Sequence, residues 1–274
     1  MRKYDLSVIR KDTEINVLDY GITCLTFSAP LPIPRTAKEY PEGKNGYVDL
    51  GTVYEGRRIY ATFLLKGENV DDYYLLINEL NRIFDSREAF YVRHFRQPWK
   101  RYKVKLESPI EPQQIDRYGR INLTFESESA FAESIGTSLS PFTFDVELWG
   151  IGQGLSVDQN DYTFNSTSFV FNNIGDVALD PREWYQQYKI TFKGISNNLK
   201  IRNERNGDEW QYFGSTTSQQ EIVIEGVRAR KNGISIFSNT CKRVLTLEPG
   251  GNEITISGTS GQIEIIFDTR FYYL

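Results

Sequence analysis

The sequence is poor in the residues that most often carry catalysis and metal binding. It contains one His, two Cys and one Met in 274 residues. Cys24 and Cys241 lie near opposite ends of the chain without metal-ligand spacing, and are interpreted as small buried side chains. His94 is the sole imidazole available to a Ser-His-Asp or Cys-His arrangement. The sequence therefore predicts a protein that is not an enzyme and holds no metal or other cofactor.

Long apolar runs and an excess of basic residues are also absent. The charged start, MRKYDLSVIRKDTEINV, lacks the apolar stretch of a signal peptide, and no window reaches the length of a membrane span. We therefore expect neither secretion nor insertion into a membrane. The net charge of -4 argues against a generic nucleic-acid binder, so protein or glycan partners are favoured.

Aromatic residues are abundant, with 17 Tyr and 17 Phe, types that favour strands and interfaces. Apolar and polar residues alternate over 60–67, 101–108, 119–127 and 188–194, between Gly, Asn, Asp and Pro signals. DRYGR at 116–120 separates two strand-like runs and predicts a hairpin turn. These patterns predict a mainly β protein.

One segment has helical rather than strand periodicity. Residues 70–84 are predicted to form a helix with Asn69 as its N-cap, since apolar residues recur at spacings of three and four. The residues expected on its apolar face are Val70, Tyr73, Ile77, Leu80 and Phe84. This face is expected to cover a sheet.

A passage rich in Ser, Thr, Pro and Gly follows residue 136 and predicts a division into domains 1–145 and 146–274. Short apolar runs recur downstream at a spacing typical of an antiparallel sandwich. The Pro-Gly-Gly-Asn stretch at 249–252 and the GTSG stretch at 258–261 are predicted to be turns. The final aromatic tail is expected to be a strand held in the sheet.

Several motifs are too weak to indicate chemistry. GIGQG at 150–154 lacks the third spacing of a dinucleotide loop, and a linker is the favoured interpretation. Two carboxylate pairs, Glu126 with Glu128 and Asp145 with Glu147, are expected to be solvated unless a cleft brings them together as in a glycan hydrolase.

Residues 91–105 are the most basic stretch and interleave Arg and Lys with aromatics. Such a pattern can bind nucleic acid. It can also form a solvated pair of strands, or an interface with another protein. From it we select Arg93, Arg96, Trp99 and Arg101 as candidate protein-interface residues.

Two clusters, EWYQQY at 183–188 and EWQYF at 209–213, hold Trp184 and Trp210. These two Trp residues are candidates for stacking on sugar rings, although packing in a core or interface is the competing interpretation. Exposed stacking would make the chain a carbohydrate-binding module that attaches to host cell-wall glycan, which is the alternative function.

The order and spacing of these elements resemble the distal tail protein (Dit) family of long-tailed bacteriophages. The similar N-terminal segments are KEYPEGKNGYVDLGTVYEGRRIYATFLLKG, the helix, RYKVKLES and RYGRINLTFESESAFAESI. The similar C-terminal segments are LTLEPGGNEITI and IEIIFDTRFYYL. Together they cover most of the chain.

The resemblance implies two antiparallel β-sandwich domains. The first, 1–145 with helix 70–84, would close into a homohexameric ring, and the second, 146–274, would be a galectin-like or jelly-roll sandwich. It implies a structural hub of the tail tip or baseplate that joins the tail tube protein to tail-tip and receptor-binding proteins. The hub would be assembled in the host cytoplasm and lie in the virion, bind no membrane or specific nucleic acid, and leave room for DNA to pass.

Overall fold

The computed structural model describes residues 5–11, 13–141, 148–150 and 162–274. The chain divides into two compact units, residues 1–132 with Leu274, and residues 133–273. This division falls before the predicted boundary at 145/146, which itself lies outside the described residues. Residues after 132 join the second unit because Ser134 N donates to Phe271 O at 2.8 Å and Ser138 N donates to Thr269 O at 2.8 Å.

The prediction of a mainly β fold with antiparallel sheets is confirmed. The strands of the first unit are β1 (Leu6–Arg10), β2 (Thr13–Asn16), β3 (Ile22–Ser28), β4 (Pro34–Glu39), β5 (Val48–Tyr54), β6 (Arg57–Lys66), β7 (Phe90–His94), β8 (Lys100–Leu106), β9 (Gln113–Ile115) and β10 (Tyr118–Ser127). Its main sheet has the order β2-β1-β7-β8-β10-β6-β3. Tyr118 of β10 lies opposite Ile115 of β9, which confirms the predicted hairpin turn at 116–120.

The predicted helix is confirmed as α1 (Val70–Ile83), and the side chain of Asn69 accepts a hydrogen bond from Asp72 N at its start. Tyr73 and Leu80 are buried, whereas Val70 is 42% exposed and so lies off the expected apolar face. Val70 is the first helical residue. In the described residues, no helix is long and apolar enough to cross a membrane.

The core of the first unit is built on aromatic rings that come from strands and from the end of the helix. Phe84, at the C-terminal end of α1, lies 5.5 Å from Phe63 of β6 and 5.4 Å from Phe125 of β10 between ring centroids. Phe90 of β7 meets Phe125 edge to face at 6.2 Å. All four rings are buried, so the helix is fastened to the sheet by aromatic packing.

The strands that follow are β11 (Ala132–Ser134), β12 (Thr163–Phe164), β13 (Ser168–Asn173), β14 (Tyr188–Asn203), β15 (Glu209–Gln211), β16 (Ser215–Thr216), β17 (Glu221–Glu225), β18 (Arg228–Lys231), β19 (Ile234–Ser235), β20 (Gly250–Thr269) and β21 (Tyr272–Tyr273). The main sheet of the second unit has the order β12-β20-β14-β17-β18-β19, with β13 also paired to β20. The galectin-like assignment of this unit stays a prediction.

The predicted turn at GTSG is wrong, because β20 continues through it. The ladder of β14 with β20 shifts register between Ser196 and Lys200, so the extra residues of both strands form a bulged excursion. Gly258 lies in this excursion with φ +77°, and an added Cβ would come 2.5 Å from Asn198 O. A glycine is therefore needed there.

The aromatic tail is ordered, as expected. Phe271, Tyr272 and Tyr273 are all at most 3% exposed. The Tyr272 hydroxyl accepts a hydrogen bond from Gln187 N at 2.7 Å and donates to Tyr185 O at 3.2 Å. The tail therefore belongs to the packed interior of the fold.

Buried tyrosines predict that the second unit unfolds in alkaline solution. Burial raises the pKa of Tyr188, which donates to Leu245 O, and that of Tyr162 and Tyr272, and raises the pKa of Tyr185 to about 12. Unfolded tyrosines ionise near about 10. The folded state holds these protons to a higher pH than the unfolded state does. The stability that these tyrosines contribute is therefore fully present below about pH 10 and is lost as the pH rises above it.

In an alkaline titration we expect exposed tyrosines such as Tyr40 and Tyr47 to ionise first with unchanged circular dichroism, and the buried tyrosines to ionise in a later step together with its loss. Tyr188→Phe should leave a smaller second step. Ionisation of every tyrosine with unchanged circular dichroism would contradict this prediction.

Candidate assembly surface

The most exposed apolar surface of the first unit is the hairpin of β4 and β5. Every residue of β5 is exposed, and among the described residues these two strands pair only with each other. The exposed large apolar side chains of residues 31–54 are Leu31, Ile33, Tyr40, Tyr47, Val48, Leu50, Val53 and Tyr54. A surface of this size marks an interaction site.

The hairpin is held by contacts between its own strands. Thr36 and Thr52 hydroxyls are 2.8 Å apart, and the Lys38 ammonium lies 4.5 Å from the centre of the Tyr47 ring. Register shifts by one residue between Thr36 and Lys38, so Leu50 and Gly51 form a bulge. These contacts give the hairpin a defined shape without giving it a core.

Physical chemistry makes a solitary hairpin a poor final state. A two-stranded hairpin is marginally stable in water, and its outer edges carry unpaired backbone groups. This hairpin also exposes Leu50 and Val53 by 60% and 56%. The hairpin is therefore a candidate assembly surface.

Sequence analysis missed this surface. VDLGTVY has the composition of a strand, and a pattern of apolar residues normally indicates a buried face. Both faces here are exposed, which periodicity cannot reveal. The available signal was the position of this run beside the loop PEGKNG, which makes it one arm of a hairpin.

The predicted basic interface lies on the β7–β8 hairpin and is partly occupied by contacts within the chain. Arg93 pairs with Glu14 at 3.2 Å, and the Arg101 guanidinium stacks 4.0 Å from the centre of the Tyr91 ring. Arg96 is exposed and Trp99 is half-buried. Their role as interface residues stays a prediction, with Arg96 the most accessible of the four.

The two tryptophans selected for glycan stacking lie in different environments. Trp184 is 68% exposed, whereas Trp210 is 5% exposed. Trp210 lies opposite Ile201 in the β14–β15 ladder and faces the core, so it offers no ring face to a sugar. Only Trp184 keeps the predicted geometry.

The weaker motifs that the structure describes lie on a sheet face and in an aromatic stack. Glu126 lies opposite Arg58 and Lys105 on neighbouring strands, an arrangement typical of a solvated sheet face. His94 stacks on Phe27 with ring centroids 4.9 Å apart. Asp145, Glu147 and residues 151–154 lie outside the described residues. In the described part of the chain, no group of three or more His, Cys, Asp and Glu could hold a metal ion.

The first unit is similar to a known phage tail domain. Residues 15–127 match the model of the phage tail protein RIFT-related domain, a range that includes β4, β5 and α1. A search of the curated proteins finds no match to this sequence.

Among solved structures, the chain is similar to the crystal structure of SPP1 Dit, described as a paradigm of the hub adsorption apparatus in phages that infect Gram-positive bacteria. The TM-score is 0.68 at 11% identity, over 97% of this chain and 99% of that chain. Two structures of the phage p2 baseplate in its activated conformation match over 97% of each chain with TM-scores of 0.43 and 0.42, too low to support an argument. The family match and the shared fold confirm the resemblance to distal tail proteins.

Proposed function

This chain carries a match to the phage tail protein RIFT-related domain and has the fold of a distal tail protein, and we propose that it is a structural hub of a phage tail tip or baseplate. In this proposal the first unit closes into a homohexameric ring between the tail tube protein and the tail-tip and receptor-binding proteins. The hub is not an enzyme and uses no cofactor. It lies in the virion after assembly in the host cytoplasm, and DNA passes through the ring.

The observation that carries the proposal is the exposed β4–β5 hairpin. Its open edges and its apolar side chains are most simply covered by a second copy of the same domain, since identical subunits supply one covering surface for every hairpin. Rotational closure then leaves no hairpin uncovered, which a monomer cannot achieve. A ring is the smallest assembly with this property when the contact is head to tail.

The test compares the assembly state of two variants with the unchanged protein. Replacing Leu50 and Val53 together with Glu places charges on the hairpin, and we expect hexamers to dissociate into monomers. Ile234→Glu is the matched control, because Ile234 is 74% exposed in the second unit and outside the hairpin. Light scattering coupled to gel filtration gives the mass, and negative-stain images show the rings.

The proposal fails if the unchanged protein stays monomeric at high concentration and also in the presence of the tail tube protein. A ring that survives the double Glu substitution would retain the hub but remove the hairpin from its contact. Arg96→Glu tests the predicted basic interface on the β7–β8 hairpin. If Arg96 lies in a contact between proteins, we expect this variant to lose assembly at low but not at high salt.

A further inference from the structure

A second surface, in the second unit, has the features of a ligand groove. An open cleft of about 740 Å³ lies beside the exposed Trp184. Its polar lining includes Gln187, just before β14, and Lys189, near the start of β14. Glu225 of β17 and Asp268 of β20 complete this lining. The contact needs of the hub do not account for this cleft.

Register places charged residues in rows across the outer face of this sheet. Lys189 of β14 lies opposite Glu225 of β17 and Asp268 of β20. Four residues further along β14, Lys193 lies opposite Glu221 and Glu264. Each row thus has a lysine between two carboxylates.

The part of this sheet face between the two rows carries polar and apolar side chains and no charged ones. Thr191 of β14 lies between Val223 of β17 and Ile266 of β20, and all three are half-buried. A second open cleft, of about 650 Å³, lies at the far row and includes Lys193 and Glu264 in its lining. The two clefts share no lining residue, and the two rows lie about 13 Å apart along β14 at about 3.3 Å per residue, so the ligand groove is the cleft beside Trp184.

Trp184 is held in place at one end of the groove. It lies in a turn where Asp180 binds Arg182 at 2.6 Å and Gln186 accepts from Asp180 N at 2.8 Å. Its ring packs edge to face on Tyr185, with ring centroids 5.6 Å apart. These contacts order the turn that carries Trp184, and its 68% exposed indole is accessible to a ligand.

We infer that this groove, which we call the Trp184 groove, binds a neutral, hydroxyl-rich oligosaccharide. A sugar ring presents an apolar face to the exposed indole and hydroxyl groups to its surroundings. Hydroxyl groups both donate and accept hydrogen bonds, so they suit rows that alternate ammonium and carboxylate groups. An anionic ligand would meet the carboxylates, and a cationic ligand would meet the lysines together with Arg228.

The inference concerns the second unit and does not rest on the ring of the first. A solvated sheet face would also show alternating charges, but it would not place an exposed indole at its end. Lys193 pairs with Glu264 at 3.1 Å, whereas Lys189 forms no ion pair within the described residues, so the ammonium of Lys189 is the one open to a ligand.

The test measures binding of three neutral probes, maltohexaose, cellohexaose and hexa-N-acetylchitohexaose, to the full-length protein by calorimetry and by tryptophan fluorescence. We expect at least one probe to bind, and Trp184→Ala to weaken that binding about tenfold or more. Phe213→Ala is the matched control, because Phe213 is 50% exposed in the same unit but does not line the groove. Lys189→Ala should also weaken binding, and circular dichroism checks that each variant is folded.

Three results would overturn the inference. No response to any of the probes at millimolar concentration means that the face is only solvated. Equal binding by Trp184→Ala places the site elsewhere. Binding of polygalacturonate oligomers or of a basic peptide, without binding of the neutral probes, contradicts the argument from charge. None of these results bears on ring assembly, which the hairpin variants test separately.

Discussion

Replacing Phe125 with Ala is expected to lower the free energy of unfolding of the first unit by about 3–5 kcal/mol. Phe125 is fully buried at the centre of the aromatic core, where its ring lies 5.4 Å from Phe84 and 6.2 Å from Phe90. Removing the ring leaves a cavity between α1 and the strands β7 and β10, and a close-packed interior relaxes only partly into such a space. The helix would lose part of the surface that fastens it.

Chemical denaturation at one fixed protein concentration measures this loss, since ring assembly shifts apparent stability by mass action. Phe125→Leu keeps most of the volume and should cost less than about 1.5 kcal/mol. Ile115→Ala is a surface control, because Ile115 is 79% exposed, and should change stability by less than about 0.5 kcal/mol. A loss below about 1 kcal/mol for Phe125→Ala would mean that the four rings do not form one packed core.

Replacing Asn252 with Ala is expected to destabilise the second unit by about 2–4 kcal/mol, because several buried polar groups lose their partners. Asn252 is fully buried, and its Nδ2 donates to Glu248 O at 2.7 Å and Gly250 O at 2.9 Å. Its Oδ1 accepts from Glu248 N at 2.8 Å and from Asn203 Nδ2 at 2.9 Å. Gly250, Gly251 and Asn252 are the first residues of β20, so the predicted turn at 249–252 is wrong over those three residues, and the amide ties Glu248 to the start of this strand.

Two further variants separate hydrogen bonding from packing. Asn252→Asp keeps the shape but replaces the Nδ2 donor with an oxygen that faces the two carbonyls, so we expect a loss similar to that of Ala. Asn172→Ala is the matched control from the paired strand β13, since Asn172 is half-buried and its side chain makes no hydrogen bond within the described residues. If Asn252→Asp were as stable as the unchanged protein in thermal melts, packing alone would hold the start of β20.

Local patterns were enough to predict most elements of secondary structure. The helix was predicted to within one residue at its end, with its capping residue Asn69, because spacing and capping act within a few residues. The hairpin at 116–120 and the burial of the aromatic tail followed from the same local reasoning. The GTSG turn was misread, since glycines serve bulges and turns equally and the register of the partner strand decides between them.

Surfaces were predicted less well, because exposure depends on what else packs nearby. Trp184 and Trp210 sit in similar aromatic clusters in the sequence, yet one is exposed and the other is buried. The four residues of the predicted basic interface differ in the same way. Glu14, far away in the sequence, pairs with Arg93, whereas Arg96 is exposed. Neither difference is encoded in a window of neighbouring residues.

The sequence by itself determined the mainly β fold and the helix α1, since alternation and capping are local properties, and the order of its segments gave the likeness to distal tail proteins. Only the tertiary structure decided that the apolar strand β5 stands in the exposed β4–β5 hairpin, and that Trp184, Lys189 and Asp268 meet along one groove. Both results depend on strand pairing between residues far apart in the chain. That pairing is fixed by the packing of the whole unit, because it is the core that selects which face of each strand is covered.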